Sequence, residues 1–204
     1  NSTLHVKESK KIDVSGTLTV ADGAVFTKTG ATNWSGLNIT STGVLDVDGD
    51  ITIEYASCGI DIENTTGLDN GTNVITIQNC TQAGISVYDC SPVVDYIIAD
   101  NVSNSTYQNA GVVVSGGSAD PHIQFVTVIG DGSTSGTYHG IKIGANADAT
   151  VDYTDIQNSV YSHSIQVNNG GSICLCGPSL FGNNNIVRRT TDYKAINNPS
   201  TGQI

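Results

Sequence analysis

Four prolines, one tryptophan, no methionine and only eight basic residues mark what this chain of 204 residues has little of. With proline rare and Gly, Asn, Ser and Thr spread along the whole length, no segment reads as a linker. A single domain over residues 1–204 is therefore expected. Long hydrophobic runs are missing as well: nothing approaches the roughly 18 apolar residues of a membrane span, so no membrane insertion is expected. No amphipathic stretch keeps a helical period beyond two turns, which excludes a helical protein. Basic charge is scarce, 8 Lys and Arg against 19 Asp and Glu, for a formal net charge of −11. An acidic surface repels polyanions, so nucleic acid is not an expected partner. The chain opens at Asn1 in mid-pattern, without initiator Met or signal peptide, and is read as a piece of a longer secreted protein with neighbouring domains.

What is present is β-branched and periodic. The apolar fraction is only 38%, but valine and isoleucine dominate it and recur between Gly, Asn and Asp clusters, which argues against disorder. A unit of one small residue followed by aliphatic, any, aliphatic returns along the chain. It reads Gly36-Leu37-Asn38-Ile39, Gly59-Ile60-Asp61-Ile62 and Gly84-Ile85-Ser86-Val87. It continues as Gly111-Val112-Val113-Val114, Gly140-Ile141-Lys142-Ile143 and Ser164-Ile165-Gln166-Val167. Unequal intervals between constant short strands fit coils closed by turns of variable length, each coil pairing with the next. The fold class expected is all-β: a single-stranded right-handed parallel β-helix, a solenoid of about seven to eight coils.

A second strand keeps step with the first. Val74–Asn79, Tyr96–Asn101 and Tyr153–Asn158 place Asn79, Asn101 and Asn158 at one register, where side-chain amides can bond along the stack. Tyr96, Phe125 and Tyr153 share another and are expected to stack about 4.8 Å apart. Alternation sends the aliphatic residues inward and Lys142, Gln166, Asp61 and Ser86 to solvent. Residues 1–30 read as an opening coil with Ile12, Val14, Leu18, Val20, Val25 and Phe26 as its apolar set, followed by repeated coils over 31–204. Gly202-Gln203-Ile204 reads as the interior of a further strand, so the C-terminal cap is expected to lie elsewhere.

Five cysteines, Cys58, Cys80, Cys90, Cys174 and Cys176, give no zinc spacing. Cys174 and Cys176 are not expected to pair, as near neighbours in a strand. Cys80–Cys90 and Cys58–Cys80 stay open as pairings in an oxidising compartment, beside the plainer reading of small buried residues.

Val14-Ser15-Gly16-Thr17-Leu18-Thr19-Val20, followed by Asn33-Trp34-Ser35-Gly36-Leu37, resembles the opening coils of secreted bacterial right-handed parallel β-helix repeat proteins. Ile53-Glu54-Tyr55-Ala56-Ser57-Cys58-Gly59-Ile60 resembles their recurring coil. Leu180–Asn185 and Tyr193–Asn198 resemble their closing coils. The resemblance implies the pectin-lyase-like fold class and a secreted or cell-surface location, and it specifies coil geometry, not a reaction.

Three functions are weighed. The leading one is a non-catalytic extracellular module, structural or adhesive, with polysaccharide or cell-surface glycan as partner. The alternative is a polysaccharide lyase or glycoside hydrolase acting on acidic polysaccharide, with residues 101–110 and 130–139 walling a groove. An ice-binding face ranks last, since the outward positions are not regular threonines. The candidate ligand patch comprises Tyr138, His139, Lys142, Tyr161 and His163, where His139 and His163 fall one residue before equivalent strand positions. The candidate acidic face is Asp46, Asp48, Asp69, Asp95 and Asp152, interrupted by Gln124 and read first as a solvated face. No cofactor is expected. Calcium is the one ion considered, at Asp46-Val47-Asp48-Gly49-Asp50, but Ser57 stands where a calcium loop of the helix-loop-helix type needs an acid.

Overall fold

The computed structural model describes residues 2–102, 109–130, 138–157, 165–168, 170–176, 180–181 and 188–189. Among them every strand pairing is parallel, and successive strands join sheets that stack into a β-solenoid of about six turns. The first sheet runs through Thr3–Lys7, Val25–Thr29, Ile51–Glu54, Ile75–Gln78, Val93–Asp100, His122–Ile129, Asp148–Asp152 and Ser172–Leu175. Asp155–Gln157 and Leu180–Phe181 extend it beside His122–Ile129. The second sheet runs through Lys11–Val14, Gly36–Ile39, Cys58–Ile62, Ala83–Tyr88, Asn109–Ser115, Tyr138–Ile143, Ile165–Val167 and Arg188–Arg189. Thr17–Val20, Val44–Val47 and Leu68–Asp69 form the third.

The repeated unit becomes the second sheet in the register its spacing predicts. Leu37, Ile60, Ile85, Val112, Ile141 and Ile165 fall on one row. All are at most 1% exposed. On the first sheet Ile53, Ile77, Ala99, Val128 and Ile156 form the facing row, each 0% exposed. β-branched side chains suit this double burial because their restricted rotamers fit a pleated surface. Each such side chain taken from water contributes about 1.5–3 kcal/mol before conformational entropy is counted.

The small residue that opens each unit has a steric cause. A Cβ at Gly59 would stand 2.3 Å from Ile77 Cγ2, and one at Gly111 would stand 2.5 Å from Val128 Cγ1. The second sheet here swings against the first, and the pairing skips the glycine: Ala83–Cys58 and Ile85–Ile60 are partners, with Gly84 passed over. Sequence repetition thus reports a close approach of two sheets.

Three expectations need correction. The described residues make about six turns, fewer than the seven or eight expected, and the third sheet lines only the first three of them. Cys174 and Cys176 form a disulfide, with Cα atoms 5.7 Å apart. Residues two apart in a strand point to one face, and Cys176 lies just past the end of Ser172–Leu175, so the chain brings both sulfurs to the same side. Gln166 is 7% exposed, and Lys142, Asp61 and Ser86 are half-buried. Side chains on a stacked row are covered by their neighbours one coil above and below, so an outward position is not a fully wetted one.

Asn158, Tyr161, His163, the closing segment 193–198 and residues 202–204 lie outside the described residues.

Candidate functional site

The corner where the chain passes from Val93–Asp95 into Ile97–Asp100 repeats in two further coils. Val94, Ile123 and Val151 point inward at 0% exposure. The next position holds Asp95, Gln124 and Asp152, paired in register. Then come Tyr96, Phe125 and Tyr153, each left-handed, with φ of 49°, 51° and 45°. That backbone region is disfavoured for aromatic residues, of order 1–3 kcal/mol each, and its repetition shows that the surrounding coils impose it. Two consecutive side chains are thereby turned outward, a polar one and an aromatic one.

The three rings stack. Tyr96 and Phe125 have centroids 5.0 Å apart with planes 10° from parallel, and Phe125 and Tyr153 are 5.0 Å apart at 12°. Phe125 is 41% and Tyr153 50% exposed. Because each inner face is covered by the next ring, the ladder offers solvent a strip of ring edges.

Beside this strip, His122 Nε2 lies 2.9 Å from Asp152 Oδ2. Burial pushes the Asp95 carboxyl up from its ordinary range, with the charge of Asp69 adding to that, while a hydrogen bond from Gln124 opposes it. The Asn70 amide donates to the Asp95 carbonyl at 3.1 Å, tying the third sheet to this corner. No lysine or arginine occurs between Lys28 and Lys142, so the face carries carboxylates with little basic relief.

Four members of the sequence-derived acidic face fall into two register sets, one on the third sheet and one on the first. Asp46 pairs with Asp69 in register and accepts a hydrogen bond from Thr19 Oγ1 at 3.1 Å. Asp95 and Asp152 flank Gln124. Asp48 stands apart, exposed in the turn after Val44–Val47. In the loop considered for calcium, Val47 is 3% exposed and Asp50 Oδ1 accepts from the backbone of Val74 at 2.8 Å.

The patch around His139 is placed differently from this strip. His139 is 3% exposed and pairs with Ala110. Lys142 is half-buried between Val113 and Gln166, and burial pulls its ammonium below the ordinary range. The side chain of Tyr138 and all of Tyr161 and His163 lie outside the described residues. Sequence reasoning passed over His122; its only signal is its position, two residues before Gln124 on the same outward alternation.

Other outward polar groups bond from coil to coil. Asn38 donates to Asp13 at 2.7 Å, Thr27 and Gln78 donate to the two oxygens of Glu54 at 2.8 and 2.9 Å, and Ser172 donates to Asp148. Lys28 Nζ sits 5.0 Å over the Tyr55 ring. Against known proteins, no family model, no curated protein and no solved structure matches this chain.

Proposed function

We propose that this chain is a non-catalytic extracellular β-helix module, structural or adhesive, whose aromatic corner contacts glycan. The observation that carries this reading is the use of outward polar side chains as coil-to-coil ties, leaving the Tyr96–Phe125–Tyr153 ladder as an exposed apolar strip. Ring edges and the oxygens of Asp95, Gln124 and Asp152 repeat together from coil to coil. Ring edges are the positive side of the aromatic quadrupole and attract sugar oxygens, while sugar hydroxyls can donate to the side-chain oxygens of Asp95 and Gln124. The shortage of basic residues favours neutral over acidic glycans as partner. A secreted or cell-surface location, and membership of the pectin-lyase-like class, follow from the coil resemblance and are part of the same proposal. A panel of immobilised glycans at physiological salt tests it, and silence across the panel would count against the glycan part.

A second reading has its own observation. Asp95 and Asp152 lie two strand spacings apart, roughly 9.6 Å between backbones, and Asp95 holds its proton more tightly than an ordinary carboxylate. An inverting glycoside hydrolase uses two carboxyl groups, one of raised pKa, with about 6.5–9.5 Å between the carboxyl groups themselves. Release of reducing ends from polysaccharides, lost in Asp95→Asn, would establish this reading. Unsaturated product from uronates would instead mark a lyase.

A further inference from the structure

We infer that the Cys174–Cys176 disulfide is a thiol–disulfide exchange site, open to small thiols from solvent and adjoining the glycan strip at Asp152. Cys176 is exposed and Cys174 half-buried at the end of Ser172–Leu175. The bridge closes a loop with a single residue inside it. Such a loop removes little chain entropy from the unfolded state, so the bond does little of what long-range disulfides do for stability. Exposed bridges that stabilise little are the readily exchanged ones.

The pairing also locates the bridge beside polar groups. Cys174 pairs with Thr150, which pairs with His122. The Cys176 amide donates to the Val151 carbonyl at 3.1 Å, which carries the register one step on and sets Cys176 beside Asp152. The sulfur most open to attack thus stands one strand from a carboxylate held by His122. The remaining thiols provide an internal contrast. Burial raises those of Cys58, Cys80 and Cys90, Cys80 to about 12, so they are scarcely ionised and poor nucleophiles.

In the exchange a solvent thiolate attacks the Cys176 sulfur. The protein S–S bond breaks, its electron pair leaves on Cys174, and that sulfur takes a proton from water. A second thiol attacks the mixed disulfide and releases Cys176 as a thiol. The protein bridge has gained two electrons, and the two attacking thiols are joined as an oxidised disulfide.

The test incubates the full chain, without denaturant, in glutathione buffers of graded reduced-to-oxidised ratio, then alkylates it and maps the cysteines by mass spectrometry. The bridge is expected to open and re-form with the ratio while Cys58, Cys80 and Cys90 stay unlabelled. Cys174→Ser should trap glutathione on Cys176. Asp152→Asn should speed opening by the anionic thiol roughly threefold. A bridge that opens only in denaturant, opens only together with labelling of the other three thiols, or never forms in oxidised glutathione overturns the assignment. An unchanged rate in Asp152→Asn contradicts the placement of the carboxylate at the reacting sulfur.

Discussion

The side-chain amide of Asn101 donates to the side-chain oxygen of Asn79 at 2.6 Å, and both residues are left-handed, with φ of 50° and 56°. Asparagine is among the few residues that tolerate this backbone region, and here its amide also bonds along the stack. Replacing Asn101 separates the two contributions. Asn101→Ala loses the hydrogen bond and also the amide that makes a left-handed backbone tolerable, so a loss of about 2 kcal/mol is expected. Asn101→Gly loses the bond but not the conformation, and about 1 kcal/mol is expected. Urea midpoints at unchanged slope measure both. Equal losses would show that the backbone conformation carries no penalty.

Gly111 and Val128 should couple. Gly111→Ala drives a methyl against Val128, and overpacking of this kind costs about 1–3 kcal/mol. Val128→Ala alone empties space in the core. Together they should be less destabilising than the sum of the singles, by at least about 0.5 kcal/mol in a double-mutant cycle. Strict additivity would contradict the sheet contact that explains the repeated glycine.

Asp95 has a definite pH signature. Its folded-state pKa is raised, chiefly by burial, so the folded protein binds its proton more tightly than the unfolded chain does. Stability contributed by this residue therefore falls as pH rises from the ordinary carboxylate pKa through the raised one. Asp95→Asn should stabilise the protein at neutral pH, and the gain should shrink in acid once Asp95 is protonated in both states. Denaturation midpoints at neutral and acid pH check this. A variant less stable at neutral pH would reverse the sign.

Sequence and structure agree where a period is set by close contact. The glycine-led unit is legible because Ile77, Ala99 and Val128 press on the positions of Gly59, Gly84 and Gly111 in successive coils. The aromatic register of Tyr96, Phe125 and Tyr153 was legible for the same reason: one corner geometry recurs. Local bends leave no such trace. The closure of Cys174 on Cys176 depends on how the strand ends, and the His122–Asp152 contact depends on a diagonal reach between coils. The asparagine ladder shows the limit of reading by register alone. After Asn79 and Asn101 the next coil carries Gly130 at that step, so the amide ladder stops there.

The aromatic ladder predicts its own variant. Phe125→Asn removes the middle ring yet suits the left-handed backbone, as Asn79 and Asn101 do at another corner. Loss of two stacked pairs, worth about 0.5–1.5 kcal/mol each, is partly offset by relief of strain, so the fold should persist. Near-ultraviolet circular dichroism should lose the Tyr–Phe coupling while the far-ultraviolet strand signal is unchanged. Loss of both signals would show that the ladder is needed to form the coils.

Binding of a neutral glycan panel to the wild-type chain and to Phe125→Asn, side by side, tests the proposal that this corner is a glycan-contacting strip on a non-catalytic solenoid. The wild type should bind measurably and the variant roughly tenfold or more weakly, with the glycans recovered uncleaved. Equal binding by the two proteins, no binding across the panel, or cleaved glycan would contradict the proposal.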